Sequence, residues 1–330
     1  MAVKPDISVI VVTYNSESVI STFLGTLNTV VESLDLSVET ILTDNASRDR
    51  TQEIIRESCQ KYSRLNMVTL FNEKNVGLSK ALNQMIGLCK GERILVCNPD
   101  IAFTESIREM LRIAEQNPNL VLVPELLKSD GTPQRVIYRR FPTVIRIVSD
   151  FMAIGDIVPK LFDRIRKDYR YIGTRFRSPM DSLEHTSAVC MLVHTQVATM
   201  LSPFYDPVFP VYWNDVDMSK RAKKLNIPCA IVPDTKIYHG LGQSGNKSNP
   251  EKKAMLFYSS YGMIGYARRW DMYPNILRLI LFFDSIVQIL REIAKRLIGR
   301  ETSRLARKKG LDSFQEATKA HLLAFRSSLR

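Results

Sequence analysis

The fold of this 330-residue chain can be predicted outward from one stretch, Ile7-Ser8-Val9-Ile10-Val11-Val12-Thr13-Tyr14-Asn15. Its first six residues form an apolar, largely β-branched run of strand length, which is typical of a strand buried on both faces. Apolar residues then recur with helical spacing from Val19 to Leu34. The start of the chain therefore predicts a strand followed by a helix.

The same alternation continues through the first hundred residues. The predicted strands and helices that follow are Val38–Leu42, a helix from Arg50 to about Tyr62, Val68–Phe71, the helix Leu78–Cys89, and Arg93–Cys97. This β-α-β-α-β-α-β order predicts an α/β protein with a doubly wound, mostly parallel sheet. Ligands of such sheets bind outside the carboxyl ends of the strands.

The rest of the chain is less regular. Residues from about 125 to 185 show no clear period, and strand patterns return at Ala188–Val193 and Ile227–Val232. Residues Asn275 to Gly299 predict a strongly apolar helix, but its uninterrupted apolar part is too short to span a bilayer. A helix lying in a membrane interface is compatible with this pattern.

Composition restricts the class of protein. Hydrophobic content of 45% and charged content of 24% are ordinary for a globular protein, so disorder is not expected as the main state. Five scattered cysteines without a CxxC pair indicate a reducing compartment, and no secretory signal pattern opens the sequence. Much of the net charge of +12 lies in the last 40 residues, where eleven Lys and Arg face four Asp and Glu. That region favours an anionic membrane surface over nucleic acid, because it lacks interleaved aromatic residues.

Candidate nucleotide-binding residues follow the first two predicted strands. Thr13, Tyr14 and Asn15 end the first strand and Asp44 ends the second, so all four should line one crevice. A carboxylate there can accept hydrogen bonds from a base or a ribose. The alternative is that Asp44 and Ser47 only cap the next helix.

Two further motifs are typical of phosphate and metal binding. Gly77 permits close backbone approach, and the helix start beside Lys80 suits a diphosphate, although Gly77 alone also fits an ordinary turn. No dehydrogenase or P-loop glycine motif is present. The Asn98-Pro99-Asp100 segment ends a strand, and Asp100 offers the oxygen ligand that Mg²⁺ or Mn²⁺ prefers; a simple turn is the alternative.

The Trp213-Asn214-Asp215-Val216-Asp217 segment places two carboxylates two residues apart. One carboxylate could act as a general base. The alternative is that both only stabilise the amino end of a helix. Trp213 could form a platform for a sugar ring or belong to the core.

Taken in order, these motifs resemble family 2 glycosyltransferases, most closely the bacterial rhamnosyltransferase branch, over about residues 7 to 245. The resemblance implies a GT-A fold, a nucleotide-diphospho-sugar donor, Mg²⁺ or Mn²⁺, and inversion at the anomeric carbon. In members of that family, acidic residues usually occupy the positions that Asn98 and Asn214 occupy here. The residues it implies are Asp215 as catalytic base; Thr13, Tyr14, Asn15, Asp44, Gly77, Lys80 and Asn98 for the nucleotide-sugar; Asp100 and His239 for the metal; and Trp213, His185 and Asp217 for the acceptor.

The resemblance also predicts the organisation and the partners. Residues 1–245 would form the GT-A domain, with 1–100 as nucleotide-binding half and 101–245 as acceptor half, and 246–330 a basic amphipathic helical region. The implied reaction moves a rhamnosyl or related group from a dTDP-sugar to a lipid-linked or polysaccharide acceptor. The protein would be cytoplasmic and peripheral on the inner face of the membrane, with a homodimer left open. A nucleotidyltransferase and a non-catalytic GT-A-like binding protein are the alternatives; the first lacks its glycine-rich loop, and Asn98 and Asn214 allow the second.

Overall fold

The structure is a computed structural model that describes residues 4–104, 106–240 and 249–297. Its strands are β1 (Ile7–Thr13), β2 (Val38–Asp44), β3 (Met67–Phe71), β4 (Arg93–Cys97), β5 (Ile101–Phe103), β6 (Val121–Leu127), β7 (Asp181–Leu183), β8 (Cys190–His194) and β9 (Cys229–His239). Its helices are α1 (Ile20–Leu34), α2 (Thr51–Lys61), α3 (Leu78–Ile86), α4 (Arg108–Gln116), α5 (Val144–Phe151), α6 (Ala153–Ile157), α7 (Pro159–Tyr169), α8 (Thr195–Met200), α9 (Asn214–Lys224), α10 (Asn249–Arg269) and α11 (Pro274–Leu297).

All strands belong to one sheet, with β3, β2, β1, β4, β8, β6, β9 and β5 in that order and β7 paired with β9. The four strands from the first hundred residues are parallel, as predicted from the alternation of strands and helices. Beyond β4 the sheet is mixed, because β8 runs antiparallel to both β4 and β6. The predicted α/β fold is confirmed, with antiparallel strands added on one side.

The register of the parallel strands brings their carboxyl ends together. Thr13 at the end of β1 pairs with Asp44 at the end of β2, and Asp44 pairs in turn with Phe71 at the end of β3. Both β1 and β2 are buried along nearly their whole length, which explains their continuous apolar sequence. Polar residues at these strand ends therefore share one edge of the sheet.

The chain divides into two compact units. The first comprises Met1–Phe141, Arg170–Pro210 and Asn214–Asn246, and contains the sheet. The second comprises Pro142–Tyr169, Val211–Trp213 and Lys247–Arg330. It thus includes more of the chain than the 246–330 region expected from the sequence.

The second unit is helical where the sequence pattern was weakest. The three helices α5, α6 and α7 lie in the segment that was expected to be irregular. Asp284 on α11 is buried and accepts a hydrogen bond of 2.5 Å from the Ala153 amide at the start of α6. The predicted apolar helix is confirmed as α11 through Leu297, and residues 298–330, which hold its predicted last residues and most of the basic tail, lie outside the described residues. No helix in the described part of the chain is long and apolar enough to cross a bilayer.

Candidate active site

Asp44 lies at the sheet edge with its carboxylate fully engaged. It is buried and accepts from Thr13 Oγ1 at 3.0 Å, from Gln52 Nε2 at 2.7 Å, and from both the amide (2.9 Å) and the hydroxyl of Ser47. A carboxylate offers about four lone-pair positions, so a direct bond to a nucleotide would replace one of these partners. Asp44 does not cap α2, whose N-cap residue Arg50 makes no side-chain capping bond.

Tyr14 and Asn15 follow Thr13 and differ in exposure. Asn15 has a φ of 49° and is fixed by two hydrogen bonds: its amide donates to Ser47 Oγ at 2.8 Å, and its Oδ1 accepts from the Arg48 amide at 2.9 Å. The Tyr14 side chain is 40% exposed. Asn15 therefore stabilises the turn, whereas the Tyr14 side chain is partly exposed to solvent.

Asn45 joins the end of β2 to the loop before α3. Its Nδ2 donates to Asn75 Oδ1 at 2.9 Å and its Oδ1 accepts from the Val76 amide at 3.0 Å. Asn75 Oδ1 also accepts from the amide of Gly77, which has a φ of +85°. A Cβ on Gly77 would lie 3.1 Å from the Pro210 carbonyl oxygen, so this position requires glycine both for conformation and for space.

The first turn of α3 contacts the segment that precedes α9. The Ser79 amide donates to the Pro210 carbonyl at 3.1 Å, and its hydroxyl donates to the Phe209 carbonyl. The same hydroxyl accepts from Asn214 Nδ2 at 3.2 Å. Lys80 is exposed. The predicted phosphate motif is thus hydrogen-bonded to the segment that carries Asp215.

Asp100 and His239, the two residues expected to hold a metal ion, lie next to each other. His239 Nε2 lies 3.5 Å from Asp100 Oδ1, and both side chains are largely buried. Asp100 Oδ1 has no hydrogen-bond partner among the described residues. A cavity of about 330 Å³ adjoins the pair and is lined by Asp100, Ser18, Thr22, Ser129, Tyr238 and Gly240.

An unpaired carboxylate oxygen facing an imidazole nitrogen fits a divalent cation held by one oxygen and one nitrogen ligand. No cluster of three or more His, Cys, Asp or Glu ligands is found in the described part of the chain.

Asp215 lies in the first turn of α9 and is half-buried. Its Oδ1 accepts from the Val216 amide at 2.8 Å and its Oδ2 accepts from the Ala188 amide at 3.4 Å. The next residue, Val189, accepts a hydrogen bond of 2.8 Å from the Asn98 amide through its carbonyl. Adjacent residues of one segment therefore contact both the end of β4 and the Asp215 carboxylate.

Asp217 differs from Asp215, although both lie on α9. Its side chain is fully buried and pairs with Arg221 Nε at 2.9 Å. The Arg221 guanidinium also donates to the carbonyls of Leu201 at 2.6 Å and Phe204 at 2.7 Å. This arrangement ties α9 to the preceding loop, and burial does not fit the expected contact between Asp217 and an acceptor.

His185 is buried near Asp215. Its Nδ1 lies 2.8 Å from the Thr186 carbonyl, to which it can only donate, and its Nε2 has no hydrogen-bond partner among the described residues. Burial lowers the pKa of His185 below its ordinary value, opposed by the negative charge of Asp215. His185 is only 2% exposed, which does not fit the expected contact with an acceptor.

Trp213 is a core residue of the second unit. Its ring centroid lies 6.0 Å from that of Phe151 and 5.5 Å from that of Tyr266. A Cβ on Gly262 would lie 2.7 Å from Trp213 Cδ1, so glycine is needed for α10 to approach the indole. The ring is 7% exposed, which favours the core interpretation over the expected platform for a sugar.

Sequence reasoning missed three residues that organise the site: Asn45, Ser79 and Gln134. Gln134 Oε1 lies 2.8 Å from His239 Nδ1, and Gln134 Nε2 donates to the His239 carbonyl at 2.8 Å. The partners of Ser79 and Gln134 are distant in sequence, so neither carries a local signal. Asn45 belongs to the quoted Asp44-Asn45-Ala46-Ser47 segment, but its bonds to the α3 loop could not be read from it.

The sheet topology and the polar residues at its carboxyl edge define a GT-A-type α/β protein. The Glycosyl transferase family 2 profile matches residues 8–190, which is more than half of the chain. The chain therefore belongs to Glycosyl transferase family 2, as its motifs predicted.

Two curated relatives share low identity with the chain. The N-acetylglucosaminyl-diphospho-decaprenol L-rhamnosyltransferase of Mycobacterium tuberculosis is 23% identical over 265 residues, covering 77% of this chain and 82% of the relative. The low-salt glycan biosynthesis hexosyltransferase Agl10 of Haloferax volcanii is 24% identical over 233 residues, covering 69% of this chain. The chain spans 66% of the length of that second relative.

Two solved structures share the fold. Mannosyltransferase PcManGT from Pyrobaculum calidifontis, in complex with GDP-Man and Mn²⁺, superposes with a TM-score of 0.55 at 13% identity, covering 99% of this chain and 87% of its own. GalNAc-T7 with UDP, GalNAc and Mn²⁺ gives a TM-score of 0.53 at 15% identity, covering 77% of this chain and 48% of its own.

Proposed function

We propose that this protein is an inverting, metal-dependent glycosyltransferase that moves a sugar from a nucleotide-diphospho-sugar to a hydroxyl of a lipid-linked or polysaccharide acceptor. The observation that carries the proposal is the segment Ala188–Val189, which contacts the Asp215 carboxylate and the end of β4 through adjacent residues. This connection supports a base and a donor-binding edge that lie close enough to act on one bond.

Asp215 acts as the general base in this proposal. Its carboxylate removes the proton from the acceptor hydroxyl as that oxygen attacks the anomeric carbon, and the nucleoside diphosphate leaves from the opposite face. The partial exposure of Asp215 supports this assignment, since Asp217 is buried and paired with Arg221. Two hydrogen bonds from backbone amides hold the Asp215 carboxylate in place at the start of α9.

Asp100 and His239 would hold Mg²⁺ or Mn²⁺, with Asn98 beside them. A bound divalent cation would neutralise charge that develops on the departing diphosphate. Lys80, exposed in the first turn of α3, would bind the same diphosphate. Thr13, Tyr14, Asn15 and Asp44 would form the wall for the nucleoside, with the exposed Tyr14 ring available to a base.

The donor and the acceptor are proposed by analogy with the relatives. The mycobacterial relative is named for L-rhamnosyl transfer to a diphospho-decaprenol-linked sugar, and this supports a dTDP-linked deoxyhexose as donor and a lipid-linked acceptor. Glycan synthesis on such an acceptor would place the protein in the cytoplasm, at the inner face of the membrane. Nucleic acid is not a partner in this proposal.

The second unit supports attachment to anionic lipid. Its helix α11 exposes Ile276, Leu279, Phe282, Phe283, Ile286 and Leu290. Phe282 and Phe283 are adjacent, so the exposed face is wider than the single seam of a two-stranded coiled coil. A wide apolar face followed by a basic segment is typical of an interfacial helix.

A donor panel tests the proposal. Purified protein is incubated with dTDP-, UDP- and GDP-sugars and a synthetic isoprenyl-diphospho-sugar, with Mg²⁺, with Mn²⁺ or with EDTA, and products are separated by mass spectrometry. We expect transfer with one donor class and loss of transfer in EDTA. The proposal is wrong if no donor yields product or released sugar, as a non-catalytic binding protein would behave, and its metal requirement is wrong if transfer survives EDTA.

A further inference from the structure

Gln134 and His239 are joined by hydrogen bonds in both directions. The Gln134 amide nitrogen donates to the His239 carbonyl at 2.8 Å, and its oxygen lies 2.8 Å from His239 Nδ1. Gln134 is 1% exposed and His239 is 8% exposed. The pair is therefore closed to competing water.

These contacts determine which imidazole nitrogen carries the proton. A backbone carbonyl can only accept, so the amide nitrogen of Gln134 must face it. The amide oxygen then faces Nδ1 and can only accept, which requires a proton on His239 Nδ1. In the neutral imidazole, Nε2 is left with its lone pair.

The lone pair of His239 Nε2 is directed at a carboxylate. Nε2 lies 3.5 Å from Asp100 Oδ1, and that oxygen has no hydrogen-bond partner among the described residues. Two acceptors that face each other at this distance repel unless a metal ion or a proton lies between them. Gln134 therefore fixes the tautomer in which both atoms can coordinate one ion.

The local sequence explains how Gln134 reaches this position. The segment Asp130-Gly131-Thr132-Pro133 forms a tight turn in which Gly131 has a φ of +77° and the Lys128 amide donates to the Thr132 carbonyl at 2.9 Å. The turn sends the chain back along the end of β6, where the Gln134 amide donates to the Leu126 carbonyl at 2.7 Å. Because β6 pairs with β9, this return places Gln134 beside His239 at the end of β9.

We propose that Gln134 is a positioning residue that holds His239 in its metal-coordinating tautomer; the inference rests on the metal requirement of the proposed function. Partners of this kind fix ring orientation, and their loss typically costs about 10–100-fold in metal affinity. Gln134 contacts neither the substrate nor the ion in this proposal, so its effect passes through the imidazole.

The first test measures Mn²⁺ binding by the full-length protein with a nucleoside diphosphate present, by electron paramagnetic resonance of free Mn²⁺. We expect Gln134→Met to weaken binding by about 10–100-fold. Gln134→Glu retains an acceptor for Nδ1–H but loses the donor to the His239 carbonyl, so it should restore part of the affinity. Gln116→Met, the same change on the exposed face of α4, is the matched control and should match the wild type.

The second test reads the tautomer in the metal-free protein by long-range ¹H–¹⁵N NMR of ¹⁵N-labelled histidine, with the His239 signals assigned by a His239→Gln variant. We expect Nδ1–H in the wild type and a population of Nε2–H in Gln134→Met. Circular dichroism checks that each variant is folded, and Gln134→Leu, which also lacks the acceptor for Nδ1–H, replaces Gln134→Met if that variant is not folded.

Three results would overturn the inference: an Nε2–H tautomer in the wild type, a Gln134→Met affinity within about twofold of wild type instead of the expected loss, or no Mn²⁺ binding by the wild type. If one of these results were found but sugar transfer still occurred in EDTA, the role of Gln134 would be wrong and the glycosyltransferase assignment would stand. Absence of transfer with intact Mn²⁺ binding and the expected tautomer would instead contradict the proposed function and leave the role of Gln134 standing.

Discussion

Asp215 and Asp217 lie on the same helix, but only Asp215 is accessible. We expect Asp215→Asn to lower kcat by about 10²–10⁴-fold, since this is the usual contribution of a general base. Donor affinity should change little, because the residues proposed for the nucleotide are on other segments. Single-turnover assays and donor titration measure the two effects separately.

Asp217→Asn is the matched control for that variant. It weakens the buried pair with Arg221, which also donates to the carbonyls of Leu201 and Phe204. We expect the free energy of unfolding to fall by on the order of 1–3 kcal/mol, with kcat nearly unchanged in the folded protein. Urea denaturation measures the loss. If Asp217→Asn abolished transfer and Asp215→Asn did not, the assignment of the base would be wrong.

His185 predicts a pH dependence of stability. Burial lowers its pKa in the folded protein, opposed by Asp215 and Glu184 and assisted by Arg139, so the unfolded chain binds the proton more readily. Its stabilising contribution is therefore present above the unfolded pKa of 6.5 and is lost as pH falls through 6.5 towards the folded pKa.

Urea denaturation between pH 5 and pH 8, roughly spanning the titration range of histidine, tests this. We expect a smaller decline in stability at acid pH for His185→Gln than for the wild type. Identical slopes for the wild type and His185→Gln would contradict the prediction.

At the scale of elements, α3 depends on a glycine at its N-cap. Gly77→Ala would force a positive φ on alanine and place its Cβ 3.1 Å from the Pro210 carbonyl oxygen. We expect a loss of stability above about 1 kcal/mol and weaker donor binding, because the start of α3 contacts the segment that leads to Asp215. Thermal unfolding and nucleotide titration give the two values.

Gly87, at the other end of α3, provides the control. It has a φ of −70°, and a Cβ added to it would meet no heavy atom within 4 Å, so Gly87→Ala introduces neither strain nor a clash. We expect stability equal to or slightly above that of the wild type, since alanine reduces the freedom of the unfolded chain. If both substitutions had the same effect, the strain argument for Gly77 would fail.

The parallel half of the fold was predictable because its signals are local. β1 to β4 and the helices between them follow from runs of apolar residues, and their observed ends lie close to the predicted ones. The helices α5 to α7 were missed because charged residues interrupt their apolar period. The antiparallel insertion of β8 between β4 and β6 has no local signal, since it depends on pairing between distant segments.

The site was predictable where motifs follow strands and not where tertiary contacts decide. Asp100 and His239 were expected to act together, and the structure brings them within 3.5 Å. The core position of Trp213 could not be predicted, because an aromatic residue next to a carboxylate motif fits both a sugar platform and a core. Gly262 of α10 allows the helix to pack against the indole and so places Trp213 in the core. Gly262 lies in a segment without a clear sequence pattern.

At the scale of the whole molecule, exposed apolar residues are frequent in the second unit. We expect the protein to float with anionic liposomes at low salt and less at high salt, because lipid charge attracts its basic segment. The double variant Leu279→Glu and Phe283→Glu should lower binding at least about tenfold, since burying each side chain is worth about 1.5–3 kcal/mol. Flotation assays with anionic and neutral vesicles measure this.

Val208→Glu with Leu225→Glu is the control, because it changes two exposed apolar residues of the first unit. It should float like the wild type. The membrane prediction would be wrong if the wild type did not bind anionic vesicles. If the wild type also eluted as a dimer and the α11 double variant eluted as a monomer, α11 would be an interface between two copies of this chain.

The antiparallel pairing of β4 with β8 also orders events during synthesis on the ribosome. β1 to β4 can associate as soon as the first hundred residues have emerged, because the β1–β2, β2–β3 and β1–β4 pairings all lie within those residues. Arg93 can pair with His194 only after about a hundred more residues have been synthesised. Asp100 can approach His239 only later still. A nascent chain thus completes the strand ends proposed to bind the nucleotide well before it completes the residues proposed to hold the metal and to act as the base. In the proposed function, unfinished chains would therefore bind a nucleotide-sugar without transferring the sugar attached to it.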